Sequence, residues 1–263
     1  MEILFYVFAF FFGLTVGSFL NSIIYRFQTG APHQLLFKSG GGLSRSFCPY
    51  CKHQLSWQDL IPIFSFLILR GKCRYCGKKI SLQYPLVELA TAFLFLLIFL
   101  TSINVWTGVY LLVILCFLII IFVYDLKHYL IPDKIIYPTI GIAFLYQIII
   151  HNSQFILQYL ISAFGAAAFF LTIVLISRGK WMGAGDIKLA FFIGLFLGWP
   201  NILVALFLAF FIGAIIGIGL IASHKKSLRS EVPFGPFLVA GTLIALFWGQ
   251  SIINWYLNFF NGL

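Results

Sequence analysis

The chain has 263 residues, of which 62% are hydrophobic and 9% charged, and its mean hydropathy is +1.03. Soluble domains carry about 25% charged residues, so a water-soluble fold is excluded and the composition is that of an all-α polytopic membrane protein. The net charge of +10 orients the chain in a membrane and implies no nucleic acid as partner.

Eight apolar runs are long enough, or nearly so, to cross a bilayer: 3–25, 84–100, 108–124, 135–150, 156–176, 187–199, 202–222 and 236–258. The sixth is only about 20 Å long at 1.5 Å per residue, which leaves it to tilt or to begin nearer Trp181. The first run lacks a basic segment before it, and Arg26 follows it. It is therefore expected to be a retained helix and not a cleaved signal peptide.

Nine of the 17 basic residues lie between Arg26 and Lys79. The others are Lys127 and Lys134, then Arg178, Lys180 and Lys188, then Lys225, Lys226 and Arg229. The alternate turns, residues 101–107, 151–155 and 199–201, and the tail after Trp255 hold none. With eight spans all 17 fall on one side. The positive-inside rule makes that side cytoplasmic and places both termini outside. The domains expected are a first membrane helix (1–26), a cytoplasmic insert (27–83) and a seven-helix membrane domain (84–263). Pairs of small residues at helix-packing spacing, Gly13 with Gly17, Gly194 with Gly198 and Gly213 with Gly217, are expected to let helix backbones approach.

The insert begins with a Gly- and Ser-rich loop and then carries four of the five cysteines. CPYC at 48–51 and CRYC at 73–76 form C-x2-C-x21-C-x2-C. Each pair can offer two thiolates from a tight turn, and four sulfurs close a tetrahedral shell suited to Zn²⁺. A reducing cytoplasm argues against disulfides. Incidental cysteines or a redox CxxC are the alternatives. Cys48, Cys51, Cys73 and Cys76 are thus expected to hold a structural zinc that staples a segment too small to build its own core. Cys116 reads as a buried small side chain. His33, His53, His128, His151 and His224 show no catalytic-metal spacing, although His53 is an alternative ligand.

The chain has seven acidic residues: Glu2, Asp59, Glu88, Asp125, Asp133, Asp186 and Glu231. Carboxylates in membrane helices are costly and mark functional sites by default. Asp125 ends the third run and Asp186 opens the sixth, so both sit at the cytoplasmic boundary at similar depth. Facing one another, they would share a proton, one activating water and the other protonating a scissile carbonyl. Gly183 and Gly185, in G-A-G-D, would let an extended substrate backbone approach. Plainer readings remain: Asp186 as a helix cap, Asp125 paired with Lys127. Asp133 reads as a loop or capping residue. A transporter using both carboxylates as a relay would also show internal repeats and broken helices near the midplane, and neither is evident. A zinc-bearing scaffold without catalysis is a further alternative.

Five segments in order resemble the type IV prepilin leader peptidases, membrane aspartic proteases of the G-x-G-D class. They are GSFLNSIIYR (17–26), the cysteine-bearing stretch from SFCPYC to VELAT (46–91), DLKHYLIPD (125–133), GAGDIKLAFFIGLFLG (183–198) and EVPFGPFLVAG (231–241). The resemblance implies a bacterial inner-membrane enzyme with Asp125 and Asp186 as its catalytic pair. It also implies prepilins or pseudopilins as substrates, cut after a glycine. Many members N-methylate the new N-terminus with S-adenosylmethionine. Here that activity rests on the resemblance alone, because no βαβ unit with a glycine-rich loop is present. Glu88, Gly71 and Arg70 are its candidate residues. The Gln28–Ser46 stretch is shorter than in some longer relatives.

Overall fold

The computed structural model describes residues 2–28, 46–101, 104–150, 153–223 and 232–261. His33, His151, His224, Glu231, Lys225, Lys226 and Arg229 lie outside them, as does most of the loop from Gln28 to Ser46. Among the described residues the elements are helices. They are α1 (Glu2–Gln28), a 3-10 turn (Trp57–Leu60), α2 (Phe64–Ile68), α3 (Gln83–Thr101), α4 (Val105–His128), α5 (Asp133–Ile150), α6 (Ser153–Ser177), α7 (Ala184–Leu197), α8 (Asn201–Ala222) and α9 (Gly235–Asn261). Seven of them (α1, α3, α4, α5, α6, α8 and α9) are long and apolar enough to cross a membrane. The chain is a multi-pass, all-helical membrane protein. The sixth apolar run, 187–199, lies largely in α7, which has only 14 residues.

The chain divides into two compact units, residues 1–120 and 121–263. In the first, α1 lies against α3. Gly13 and Gly17 make this possible: a Cβ on Gly13 would fall 2.6 Å from the Ala92 Cα, and one on Gly17 would fall 2.7 Å from the Glu88 Cα. The backbones touch along this seam, flanked by the ring pairs Phe10–Phe93 and Phe12–Phe95. At its loop end, buried Asn21 donates from Nδ2 to the Tyr84 carbonyl at 3.1 Å and accepts from Gln83 Nε2 at 3.4 Å.

The second unit is built around α7. This helix packs on α5, α6, α8 and α9, and from Leu189 to Leu197 all its residues but Phe191 are buried. A helix apolar all round needs such a sheath. The sheath also answers its shortness, because its ends lie among protein groups. Gln147 Nε2 donates to the Leu195 carbonyl at 3.1 Å, and Gln158 Nε2 to the Trp199 carbonyl just beyond the helix at 3.1 Å. Carbonyls left open at a helix C-terminus inside a membrane must find partners of this kind. Gly194 lets α6 approach, since a Cβ there would meet the backbone of Ser162 and Ala163. At Gly217, by contrast, none of the described residues would come within 4 Å of a Cβ.

Gly17→Ala should therefore cost about 1–3 kcal/mol through forced separation of α1 and α3. Gly217→Ala should be neutral or gain up to about 1 kcal/mol from helix propensity. Thermal unfolding of both variants in detergent checks the contrast.

Candidate active site and metal centre

Asp125 lies in the last turn of α4, and the N–H of Tyr129, at positive φ, closes that turn on its carbonyl at 2.9 Å. The side chain is buried. Its carboxylate rests on the start of α9, where it accepts a hydrogen bond from the Gly235 N–H. A Cβ at Gly235 would come within 2.5 Å of Asp125 Oδ2, so a side chain here would displace the carboxylate. A helix N-terminus also offers unpaired N–H groups and a positive dipole end to an anion.

Asp186 is the third residue of α7 and is likewise buried. Its Oδ2 accepts from the Gly183 N–H at 3.2 Å, which caps the helix. Gly183 is extended and exposed, and among the described residues only the nearby Gly185 nitrogen and Asp186 Oδ2 would come within 4 Å of a Cβ there. The backbone beside the Asp186 carboxylate is thus open on one side. Gly185 has a different job: a Cβ would lie 3.2 Å from the Ile131 Cβ, so the glycine lets the 129–132 turn sit down on α7. Asp133 starts α5 and pairs with Lys188 Nζ at 2.5 Å, tying α5 to α7.

Asp125 and Asp186 are near enough for their charges to act on one another. Among the described residues the ion pairs are Arg74–Asp59 and Lys188–Asp133, so neither buried carboxylate has a cationic partner there. Two carboxylates under these conditions can hold one proton between them and pass it to a bound group. The Gly235 contact was hidden in the sequence. PFGP was visible as a motif, but its glycine gained a reason only when α9 was placed against α4.

The four cysteines also converge. Their sulfurs lie within 4.8 Å of one another, and the cluster could hold a metal ion. Cys48 Sγ and Cys76 Sγ are 3.9 Å apart, close to the roughly 3.8 Å edge of a tetrahedron with 2.3 Å metal–sulfur bonds. The two turns are alike. Phe47 bridges to Gln54 and Lys72 to Lys79, and the residue after each second cysteine, Lys52 or Gly77, has positive φ. Burial pushes the Cys48 thiol up, but N–H groups of Cys51 and Tyr50 outweigh it and bring it to about 7. At Cys73 burial prevails and the thiol is raised. His53 stacks on Tyr75, with centroids 3.7 Å apart, and stands outside the cluster. Asp59 braces the knuckle, accepting from Arg74 Nε at 2.7 Å, Ser56 Oγ at 2.8 Å and the Tyr75 hydroxyl at 3.1 Å. Burial would raise the Asp59 carboxyl, yet these donors, Arg74 foremost, hold it below the usual carboxylate range.

Glu88 is buried on α3, where its Oε2 accepts from the Ile63 N–H at 2.8 Å, and it is also bonded to the Ser18 hydroxyl. Arg70 and Gly71, both at positive φ, turn the chain out of α2 towards the second cysteine pair. Cys116 is half-buried on α4, and His128 stacks on Tyr124.

The sequence matches the model of the bacterial peptidase A24 N-terminal domain over residues 11–102 and that of the type IV leader peptidase family over residues 112–218. It is 32% identical to a prepilin leader peptidase/N-methyltransferase of Aeromonas hydrophila, over 98% of this chain and 95% of that protein. Proteins of the same description from Legionella pneumophila and Bacillus subtilis (strain 168) are 36% and 35% identical. Those matches cover 94% and 95% of this chain, and 93% and 96% of the relatives. No solved structure matches.

Elemental analysis of the purified protein should find about one metal ion per chain, as a closed four-thiolate shell holds. Cys48→Ser and Cys73→Ser should each lower that content.

Proposed function

The chain belongs to the type IV leader peptidase family, and from that premise we propose that it removes the leader from type IV prepilins or pseudopilins by aspartic catalysis at the cytoplasmic face of the bacterial inner membrane. The observation that carries this reading is the pair of buried carboxylates, Asp125 and Asp186, each held by a glycine N–H and without a cation among the described residues. One carboxylate takes a proton from water as the oxygen attacks the scissile carbonyl. The other gives its proton to the carbonyl oxygen, and collapse of the tetrahedral adduct returns a proton to the departing amine. The open backbone at Gly183 supports an extended substrate strand beside Asp186. The clustering of basic residues in 26–79 and in the turns that hold both carboxylates supports placing this end of the helices, and the 27–83 insert, inside the cell, with both termini outside.

The second proposed activity is N-methylation of the newly exposed amine, supported by the naming of the full-length relatives. S-adenosylmethionine would supply the methyl group. Glu88, Gly71 and Arg70 are the residues proposed to serve it. We assign Zn²⁺ to the cysteine cluster, as the ion suited to four thiolates; the closed shell makes it structural.

The test is mass spectrometry of a prepilin-like substrate incubated with purified protein and S-adenosylmethionine. Wild type should release the leader and add one methyl mass to the product. Asp125→Asn and Asp186→Asn should each lower cleavage by about 10³-fold or more, and persistence of cleavage in both overturns the catalytic pair. Gly235→Ala, which drives a methyl into Asp125, should lower kcat by about 10²-fold. A reporter fused after Leu263 should read as external.

A further inference from the structure

The segment between the two cysteine pairs, WQDLIPIFSFLIL (57–69), has an unusual surface for part of a polar insert. Trp57, Leu60, Ile61, Phe64, Leu67 and Ile68 are all exposed, Leu67 by 64% and Ile68 by 76%. Phe64, Leu67 and Ile68 share one face of α2 at i, i+3 and i+4 spacing. A contiguous apolar patch of this kind marks an interaction site.

Its position in the first unit says what it meets. Trp57, Leu60, Ile61, Pro62 and Phe64 line an apolar cavity of about 380 Å³ with Phe11, Leu14 and Thr15 of α1. Thr15 lies eleven residues before Arg26, so the cavity wall reaches roughly 16 Å below the basic end of α1 at 1.5 Å per residue. The neighbouring side chains Phe8, Phe11 and Phe12 of this candidate span are exposed and apolar. The patch is therefore continuous with a lipid-facing surface.

Backbone chemistry fits the same depth. Non-helical chain inside a bilayer needs its polar groups satisfied by protein. At the tip, Pro62 has no N–H, and that of Ile63, at φ 62°, goes to buried Glu88. The N–H groups of Phe64, Ser65, Leu67 and Leu69 bond to carbonyls of the segment itself. Around the segment, exposed Lys52, Arg70, Lys72, Arg74, Lys78 and Lys79 stand against one acid, Asp59, between residues 46 and 80, a rim suited to anionic headgroups.

We propose that residues 57–69 form a re-entrant hairpin seated in the acyl region of the bilayer, with lipid chains in the groove against α1 and Glu88 as the buried acceptor that closes its tip. The hairpin anchors the cysteine knuckle at the membrane surface, independently of the activity assigned above.

The test uses the wild-type protein in vesicles of phosphatidylethanolamine and phosphatidylglycerol, doped with a phosphatidylcholine carrying a diazirine midway along one acyl chain. After photolysis, labelled residues are mapped by peptide mass spectrometry. Residues 57–69 should be labelled at a level comparable to the lipid-facing side of α1, and about tenfold above the cysteine turns at 48–53 and 73–79. Labelling of 57–69 no greater than that of the cysteine turns overturns the proposal. So does cross-linking of this segment to a second protein copy in place of lipid.

Discussion

Two carboxylates with no cation beside them among the described residues have to be kept inside a bundle made almost entirely of hydrocarbon side chains, and the second unit is arranged around that demand. The solution is backbone, not counter-charge. Asp125 leans on the first N–H of α9 and Asp186 on the N–H that precedes α7. Each anion thus meets the positive end of a helix. At Gly235 a Cβ would press on the Asp125 carboxylate, whereas at Gly183 a Cβ would meet only the Gly185 nitrogen and Asp186 Oδ2 at 3.9 and 4.0 Å among the described residues. A lysine beside either carboxylate would have met the charge directly. The nearest lysine on α7, Lys188, is held instead by Asp133.

The same unit shows why a short helix can lie among long ones. α7 carries Asp186 at one end and terminates after only 14 residues, about 21 Å at helical rise. A helix of that length facing lipid would leave polar ends in hydrocarbon. Packed on α5, α6, α8 and α9 and met by Gln147 and Gln158, it has protein partners at its C-terminal end in place of lipid. Its length is set by what surrounds it and by where Asp186 must sit.

Much of this was legible in the sequence. The apolar runs match the helix bounds to within a few residues because lipid exposure leaves little choice of side chain, and 187–199, counted as a short span that tilts or begins nearer Trp181, is the 14-residue α7. The C-x2-C-x21-C-x2-C spacing pointed to the cluster, because two CxxC turns can each bring two sulfurs to one point, and the four sulfurs do converge. What escaped notice depended on partners far apart in the chain. Gly235 has no reason to be glycine until Asp125 is beside it. Gly185 read as room for substrate, whereas its nearest neighbour is Ile131. The exposed apolar side chains of 57–69 lie between polar flanks, so the segment reads in sequence as part of a polar insert. Glu88 stood out as a lone acid in a greasy helix, but its partner at Ile63 could not be found by pattern, because a strained β-branched residue at positive φ is disfavoured by every local rule.

The seam between α1 and α3 has a bearing on how this chain varies. Where Gly13 and Gly17 bring the two backbones into contact, and Asn21 ties to Gln83 and Tyr84, the chain leaves the bundle and returns to it at neighbouring points. Farther along, Ile63 ties the insert to Glu88 of α3 as well. The free energy of closing such a loop grows only slowly with its length, so residues can be added to or removed from the stretch before Cys48 without disturbing the helices that hold the carboxylates.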